Sequence, residues 1–275
     1  MLTLESVSYR YAGARRASLR DVSLELGDGE VLGIVGASEA GKTTLALVAS
    51  GLAPRAIGGT LRGRLLIDGQ DVAASRMHEL AAQVGIGFQN PATQLSGVTE
   101  TVFEEAAFGP MNLGVPRPEV IARTWEALAA LRIEQLAERD PTRLSGGQQQ
   151  LVAIAGLLAL RPAHLVLDEP TAQLDPAGTR LVADALATLA AAGTSICVIE
   201  QKTDLLARLA DRVAVVDGGT VAFVGPCAEV LADPRLADLG ISPPSAVRLA
   251  RAANAAGLVA PQRERLDTAL AELAS

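Results

Sequence analysis

The first 30 residues alternate between apolar and polar positions, in two runs that end at the turn Gly27-Asp28-Gly29. The apolar positions are Leu2, Leu4, Val7 and Tyr9 in the first run, and Val22, Leu24 and Leu26 in the second. Alternation of this kind is typical of antiparallel strands that have one solvated face. We therefore predict an antiparallel β unit at the start of the chain, with the Tyr9 ring in its core.

Further along the chain, short uninterrupted apolar runs alternate with runs at helical spacing. The apolar runs, which are typical of buried strands, lie at 31–35, 84–88, 165–167, 195–199 and 213–216. The helical runs lie at 45–49, 151–160, 180–192 and 205–209. Strands and helices that alternate in this way indicate an α/β fold, with a parallel sheet covered by helices. Between them we expect a loop at 51–63, a strand at 64–67 and a short helix at 73–82.

Residues 99–143 interrupt this alternation with a mostly helical pattern. Apolar residues recur at helical spacing on one predicted face, and they are Val120, Ile121, Trp125, Leu128 and Leu131. We expect Trp125 to be a core residue of this helix. The predicted organisation is one domain over 1–240, with a helical subdomain inserted at about 90–145. A tail over 241–275 has helical patterns at 246–256 and 262–274, and we expect a packing or dimer-contact role for it.

Composition narrows the class of protein. The formal net charge is −7, from 24 basic and 31 acidic residues, which argues against a broad nucleic-acid-binding surface. Cys197 and Cys227 have neither the number nor the spacing of a disulfide framework or a metal site, and we expect a reducing compartment. The first residues lack the pattern of a signal peptide. The longest apolar run, 151–160, is about half the ~20 residues of a membrane span, so we expect no membrane crossing.

A glycine-bounded loop joins the apolar run at 31–35 to the helical run at 45–49. Its residues are Gly36, Ala37, Ser38, Glu39, Ala40, Gly41, Lys42, Thr43 and Thr44. A loop of this spacing is typical of a P-loop, in which backbone N–H groups and the helix dipole face phosphate oxygens. Lys42 would reach the outer phosphates, and the Thr43 hydroxyl would bind magnesium. The alternative is an ordinary strand-to-helix turn that contains glycines.

Further polar residues lie where strands end or helices begin. Asp168 and Glu169 end a predicted buried strand, where Asp168 could hold Mg²⁺ and Glu169 could polarise an attacking water; the alternative is that they cap a helix. Gln89 also follows a strand, although a glutamine at such a junction is usually a solvated loop residue. Tyr11 could present its ring to an adenine base. The helix-start residues Ser145, Gly146, Gly147 and Gln148 could bind an anion, or Ser145 could simply cap the helix.

Taken in order, these motifs resemble the nucleotide-binding subunits of ABC transporters over nearly the whole chain. The matching motifs are the P-loop at 36–44, the Q-loop residue Gln89, the signature at 144–148, the Walker B acids Asp168-Glu169 and the D-loop at 172–175. The resemblance implies a P-loop NTPase core with an antiparallel β subdomain and a helical subdomain, and ATP and Mg²⁺ as cofactors. It adds Gln89 to the catalytic and magnesium-binding residues. It also implies a dimer enclosing two ATP molecules, in which the signature completes the partner's site.

The segments 88–95 and 104–114 look like the ATPases of energy-coupling-factor importers, which take up vitamins or transition-metal ions. This resemblance implies three partners: a second ATPase subunit, a transmembrane coupling subunit and a membrane substrate-binding subunit. The coupling subunit would dock near residues 98–112. The chain would then act at the cytoplasmic face of the membrane as a peripheral subunit, without nucleic acid.

Three residues depart from the family pattern. Glu39 replaces a usual glycine, Leu151 replaces a common basic residue, and Gln201 stands where the family has its switch histidine. Gln201 can donate a hydrogen bond to a γ-phosphate but cannot carry charge or shuttle a proton. We therefore expect slow or partner-dependent hydrolysis, in a heterodimer with a non-identical ATPase. Two alternatives remain open: an ATP-binding regulatory partner with weak hydrolysis of its own, and a soluble ABC protein outside transport.

Overall fold

The computed structural model describes residues 1–256. The strands within this range are β1 (Leu2–Arg10), β2 (Leu19–Leu26), β3 (Val31–Val35), β4 (Thr60–Ile67), β5 (Gln70–Asp71), β6 (Val84–Gly87), β7 (His164–Asp168), β8 (Ser195–Ile199), β9 (Arg212–Asp217) and β10 (Thr220–Pro226). The helices are α1 (Lys42–Ala49), α2 (Leu52–Arg55), α3 (Met77–Ala81), α4 (Val102–Asn112), α5 (Arg117–Ala130), α6 (Gly146–Leu160), α7 (Pro176–Ala191), α8 (Thr203–Leu209), α9 (Cys227–Leu231), α10 (Arg235–Asp238) and α11 (Ser245–Ala255).

The first sheet is antiparallel and has the order β2-β1-β4-β5. Its inner face is built from the alternating apolar residues of the sequence pattern, and Tyr9 is fully buried there. The predicted loop at 51–63 is partly wrong, because α2 lies within it and β4 begins at Thr60. The predicted helix at 73–82 is shorter than expected. A 3₁₀ turn at Val72–Ala74 precedes α3, and an extended Ser75 separates the two.

The second sheet has the order β10-β9-β3-β8-β7-β6, and all its neighbours are parallel except β10 and β9. One face packs on the antiparallel sheet and α1, and the other packs on α6 and the helices around it. The sheet is covered on both sides, so its strands β3, β7 and β8 are buried along their whole length. The α/β class with an antiparallel unit and a helical unit is confirmed.

The helices α4, α5 and α6 form the helical unit and contact one another closely. The expectation that Trp125 is core is wrong, because Trp125 is 43% exposed and Ile121 is 41% exposed. The buried stripe of α5 contains Val120, Thr124, Ala127 and Leu128. Trp125 and Ile121 are four residues apart on a neighbouring stripe, where the Trp125 ring packs beside Phe103.

The described part of the tail packs beside α8. The Asp204 carboxylate accepts hydrogen bonds from the Ser245 N–H at 2.7 Å and the Ser245 hydroxyl at 3.0 Å. These bonds satisfy donors at the start of α11, which covers most of the predicted helix at 246–256. The predicted helix at 262–274 lies outside the described residues. Among residues 1–256, no helix combines the length and apolar character that a membrane span requires.

Candidate functional site

The P-loop leaves the carboxyl end of β3 and leads directly into α1. A side chain at Gly36 would place its Cβ 2.3 Å from the Val216 carbonyl oxygen. Gly41 has a φ of 105°, and a Cβ there would lie 2.8 Å from the Ser18 oxygen. Both positions therefore require glycine, one for close approach to β9 and the other for its left-handed backbone as well. The turn after β9 supports the loop, since the Gly219 N–H donates to the Ala40 oxygen at 2.8 Å.

Lys42 is 7% exposed, and its ammonium donates to the Gly36 oxygen at 2.8 Å and the Ala37 oxygen at 2.7 Å. Burial lowers the pKa of Lys42, and the negative charges of Glu169 and Asp168 oppose this shift. No side chain caps the start of α1. Its N–H groups and the Lys42 ammonium therefore suit an anionic group at the loop.

The remaining P-loop side chains differ in their exposure and contacts. Ser38 and Glu39 are exposed, and Glu39 has a φ of 63°, a backbone region that favours glycine. Exposure to solvent weakens the repulsion that a carboxylate would impose on phosphates. The Thr44 hydroxyl is hydrogen-bonded to the Tyr11 hydroxyl at 3.1 Å, and the Tyr11 ring lies edge-on to Tyr9. Tyr11 therefore lies beside the P-loop, as a residue that contacts a nucleotide must.

Strand register brings the acidic residues to the same edge. Asp168 ends β7 opposite Ile199, the last residue of β8, and Ile199 lies opposite Ile34 of β3. Asp168 is 5% exposed. Burial raises the pKa of the Asp168 carboxyl, a hydrogen bond from the Thr43 side chain opposes the rise, and the Glu169 charge adds to it. The Thr43 hydroxyl and the Asp168 carboxylate are adjacent oxygen ligands of the kind that Mg²⁺ prefers.

Glu169 lies between two glutamine amides. The Gln89 Nε2 donates to Glu169 Oε2 at 2.9 Å, and the Gln201 Nε2 donates to Glu169 Oε1 at 2.6 Å. Glu169 has a φ of 50°, and its N–H donates to the Ile199 oxygen at 2.9 Å. The three residues predicted to be catalytic are thus brought together, although they come from separate parts of the chain.

The signature occupies a separate surface. Ser145 caps α6, since its hydroxyl accepts the Gln148 N–H at 3.4 Å while Gln148 Oε1 accepts the Ser145 N–H at 3.1 Å. Gly146 and Gly147 lie against Gln173 of the D-loop. Within residues 1–256, no hydrogen bond joins these four signature residues to the P-loop or to Glu169. Leu151, which stands where the family commonly has a basic residue, packs against the hydrophobic core.

The sequence analysis assigns no function to two residues that lie beside the site, Glu200 and Lys202. Glu200 is 2% exposed and binds Thr171 and the backbone of Gln201, and Lys202 binds the Thr171 oxygen. The sequence contained a signal for Glu200, because it directly follows an apolar strand just as Asp168-Glu169 ends one.

A P-loop with a buried lysine, a buried aspartate at the end of β7 and the adjacent Glu169 together form the kind of site that binds a nucleoside triphosphate. The family model described as "ABC transporter" matches residues 19–172. The chain belongs to the ABC transporter family of ATP-binding proteins.

Curated relatives agree with this assignment. The chain is 43% identical over 256 residues to "Cobalt import ATP-binding protein CbiO" of Rhodobacter capsulatus, covering 91% of this chain and 88% of the relative. It is 38% identical over 263 residues to "Energy-coupling factor transporter ATP-binding protein EcfA" of Methanosarcina acetivorans, covering 95% and 92%. A "Putative ABC transporter ATP-binding protein" of Methanosarcina mazei is 41% identical over 254 residues, which are 91% of this chain. The chain spans only 43% of that relative's length, and 41% of a similar one from Methanosarcina acetivorans.

Solved structures share the fold. CbiO1 of Clostridium perfringens, described as part of the ABC transporter complex cbiONQ, has a TM-score of 0.73 and 32% identity, covering 86% of this chain and 92% of CbiO1. The ATP-binding cassette MJ0796, in a dimeric post-hydrolysis state with ADP and Pi, has a TM-score of 0.73 and 26% identity, covering 82% and 99%.

Proposed function

We propose that the chain is the ATP-hydrolysing subunit of an energy-coupling-factor-type importer for a vitamin or a metal ion. In this proposal it is one ABC domain with an inserted helical subdomain, and it acts as a peripheral subunit at the cytoplasmic face of the membrane. The observation that carries the hydrolytic role is Glu169, held by Gln89 and Gln201 next to the Lys42 and Asp168 charges. The names of the CbiO and EcfA relatives support the transport role.

Each residue of the site has a part in the proposed mechanism. Lys42 and the N–H groups of the P-loop bind the phosphates of ATP, and Tyr11 contacts the adenine. Thr43 and Asp168, with Gln89 beside them, fit a Mg²⁺ ion, which supplies neutralisation of phosphate charge. Glu169 orients the attacking water and accepts its proton. Ser145, Gly146, Gly147 and Gln148 complete the ATP site of a second, non-identical ATPase subunit, since they lie apart from this chain's own P-loop.

Gln201 limits the rate in this proposal. Its amide can hold the Glu169 carboxylate, but it cannot become cationic when negative charge develops on the transferred phosphoryl group. We expect slow hydrolysis by the purified chain, faster hydrolysis by Gln201→His, and loss of hydrolysis in Glu169→Gln with ATP binding retained. Fast wild-type turnover that Gln201→His leaves unchanged would contradict the weakened-site hypothesis.

The same observation favours a second candidate function. A chain with a weak site could hold ATP to stabilise the heterodimer while its partner hydrolyses ATP. This candidate predicts that Glu169→Gln leaves the turnover of the assembled transporter unchanged. A clear fall in turnover on that substitution would exclude it.

Exposed apolar side chains on the helical unit support docking on the coupling subunit. Met111 is 62% exposed and Val98 is 73% exposed, and Phe108, Ile121 and Trp125 are exposed nearby in sequence or on the adjacent helix. Adjoining exposed apolar groups are typical of interaction sites, and the contact of Phe103 with Trp125 shows that α4 and α5 lie side by side here. Affinity purification from solubilised membranes tests the assembly: the wild type should retain membrane subunits and Met111→Glu should lose them. Ile57→Glu is the control, because Ile57 is 47% exposed in a different part of the chain.

A further inference from the structure

Glu200 is a buried carboxylate directly after β8. Its Oε1 accepts hydrogen bonds from the Thr171 N–H at 3.3 Å and from the Thr171 hydroxyl. Its Oε2 accepts the N–H groups of Gln201 at 3.0 Å and Lys202 at 3.2 Å. Burying a carboxylate is costly, and four donors offset that cost only while they all point at it.

Lys202 holds the same threonine from the other side. Its ammonium donates to the Thr171 oxygen at 2.7 Å, and it lies 3.5 Å from the Thr179 hydroxyl. Thr171 is fully buried, and its N–H, hydroxyl and carbonyl groups are thus all bound by Glu200 or Lys202. The segment after the Walker B acids and the segment after β8 therefore form one hydrogen-bonded unit.

This unit lies next to the reacting groups. Glu200 fixes the backbone N–H of Gln201, and the Gln201 side chain donates to Glu169 Oε1 at 2.6 Å. On its other side, Thr171 leads into the D-loop, whose Gln173 lies against Gly146 and Gly147 of the signature. Glu200 touches neither Glu169 nor the P-loop through a hydrogen bond among residues 1–256. Among its hydrogen-bond partners, Gln201 is the one whose side chain contacts Glu169, and it gives Glu200 a route to that carboxylate.

We propose that Glu200 is a positioning residue for ATP hydrolysis: with Lys202 it clamps Thr171 and orients Gln201 so that the Gln201 amide holds the Glu169 carboxylate. The proposal rests on the hydrolytic role proposed above. It requires an acceptor on both carboxylate oxygens, because Thr171 donates to one and two backbone N–H groups donate to the other. A glutamine at position 200 has the same shape but must turn its NH₂ group toward one of these sets of donors.

The test compares ATP turnover in the transporter complex purified from solubilised membranes. Turnover of the Glu169→Gln complex is subtracted from each value, so that hydrolysis at the partner's site does not contribute. We expect Glu200→Gln to lower kcat roughly tenfold, as for other groups that orient a reacting residue, with KM for ATP changed by less than about twofold. In a Gln201→Ala background, Glu200→Gln should change kcat by less than about twofold.

Thr171 provides a second pair of variants that does not alter the buried carboxylate. Thr171→Ser keeps the hydroxyl donor and should match the wild type, whereas Thr171→Val removes it and should lower kcat with KM unchanged. Two results would overturn the positioning role without affecting the proposed hydrolytic function. One is that Glu200→Gln lowers kcat equally in the wild-type and Gln201→Ala backgrounds. The other is that a rise in KM accounts for the loss of activity. If wild-type turnover equals that of Glu169→Gln, the proposed hydrolytic function itself fails, and the positioning role fails with it.

Discussion

The P-loop and the signature are both glycine-containing segments at the start of a helix, but they differ in how the N–H groups at the start of that helix are satisfied. The P-loop glycines lie against β9 and Ser18, and the helix that follows has no side-chain cap. In the signature, Ser145 and Gln148 cap their own helix in a reciprocal box. The first segment offers free donors around a buried lysine. In the signature, the capping box already binds some of the N–H groups, and Ser145 and Gly146 are exposed.

We interpret the P-loop as a complete anion site and the signature as half of one. The P-loop lysine, the proposed magnesium ligand Asp168 and the proposed catalytic carboxylate of Glu169 lie in the same chain, at or beside the ends of paired strands. The signature has only polar groups on a surface and the D-loop behind it. We infer that ATP binding is a property of the single chain, whereas the signature acts only across a dimer.

Lys42→Met removes the buried cation of the P-loop. Because a hydrogen bond to a charged group contributes about 2–3 kcal/mol, we expect ATP affinity of the single chain to fall roughly 30- to 150-fold. Titration with a fluorescent ATP analogue measures this. The control is Arg64→Met, which breaks only an exposed pair with Glu5 and should leave affinity unchanged. An unaltered affinity in Lys42→Met would refute the assignment of the phosphate site.

Gly36→Ala would force a methyl group against the Val216 carbonyl at 2.3 Å. Overpacking of this kind costs about 1–3 kcal/mol in stability, and it should also weaken ATP binding by displacing the loop. Gly156→Ala is the matched control, because its Cβ meets only ordinary contacts at 3.9 Å. Since alanine is favoured inside a helix, that change should stabilise the chain by about 0.5–1 kcal/mol. Urea unfolding of both variants gives the comparison, and equal effects at the two glycines would contradict it.

Ser145→Ala removes the cap of the signature helix. Loss of a cap costs about 1 kcal/mol of stability, but ATP affinity of the single chain should not change, in contrast to Lys42→Met. ATP turnover of the assembled dimer should fall. If Ser145→Ala instead weakens ATP binding by the isolated chain, the signature belongs to the chain's own site and the half-site interpretation is wrong.

The lowered pKa of Lys42 gives the smallest expected effect, which is a pH dependence. The folded chain releases the Lys42 proton at a lower pH than the unfolded chain, so its stability rises with pH between the two pKa values. ATP binding requires the ammonium, so affinity should fall as pH rises through the lowered pKa, below the ordinary 10.5. Calorimetry across alkaline pH measures this fall. Lys42→Arg should flatten it, because a guanidinium stays charged.

Much of the site could be predicted from local sequence. The P-loop could be recognised from neighbouring residues alone, because its glycine spacing and the start of a helix are visible in the local sequence, although β9 and Ser18 pack against its glycines in the fold. The strand ends at Asp168 and Gln89 followed from apolar runs. The predicted burial of Trp125 failed because α5 is apolar on more than its buried stripe, and spacing does not say which stripe meets α6. The prediction of a loop at 51–63 was partly wrong because glycines are typical of loops, whereas Gly63 lies within β4.

Local sequence is enough to predict the order of the elements, the phosphate-binding loop and the residue types at the strand ends, since each of these has a pattern that spans only neighbouring residues. The contacts of Gln201 with Glu169 and of Glu200 with Thr171 are visible only in the folded chain. Those contacts follow from the parallel pairing of β7 and β8, which sets Asp168 opposite Ile199 and so places the residues after both strands side by side. Register between distant strands is set by the packing of the whole core, which no local pattern contains.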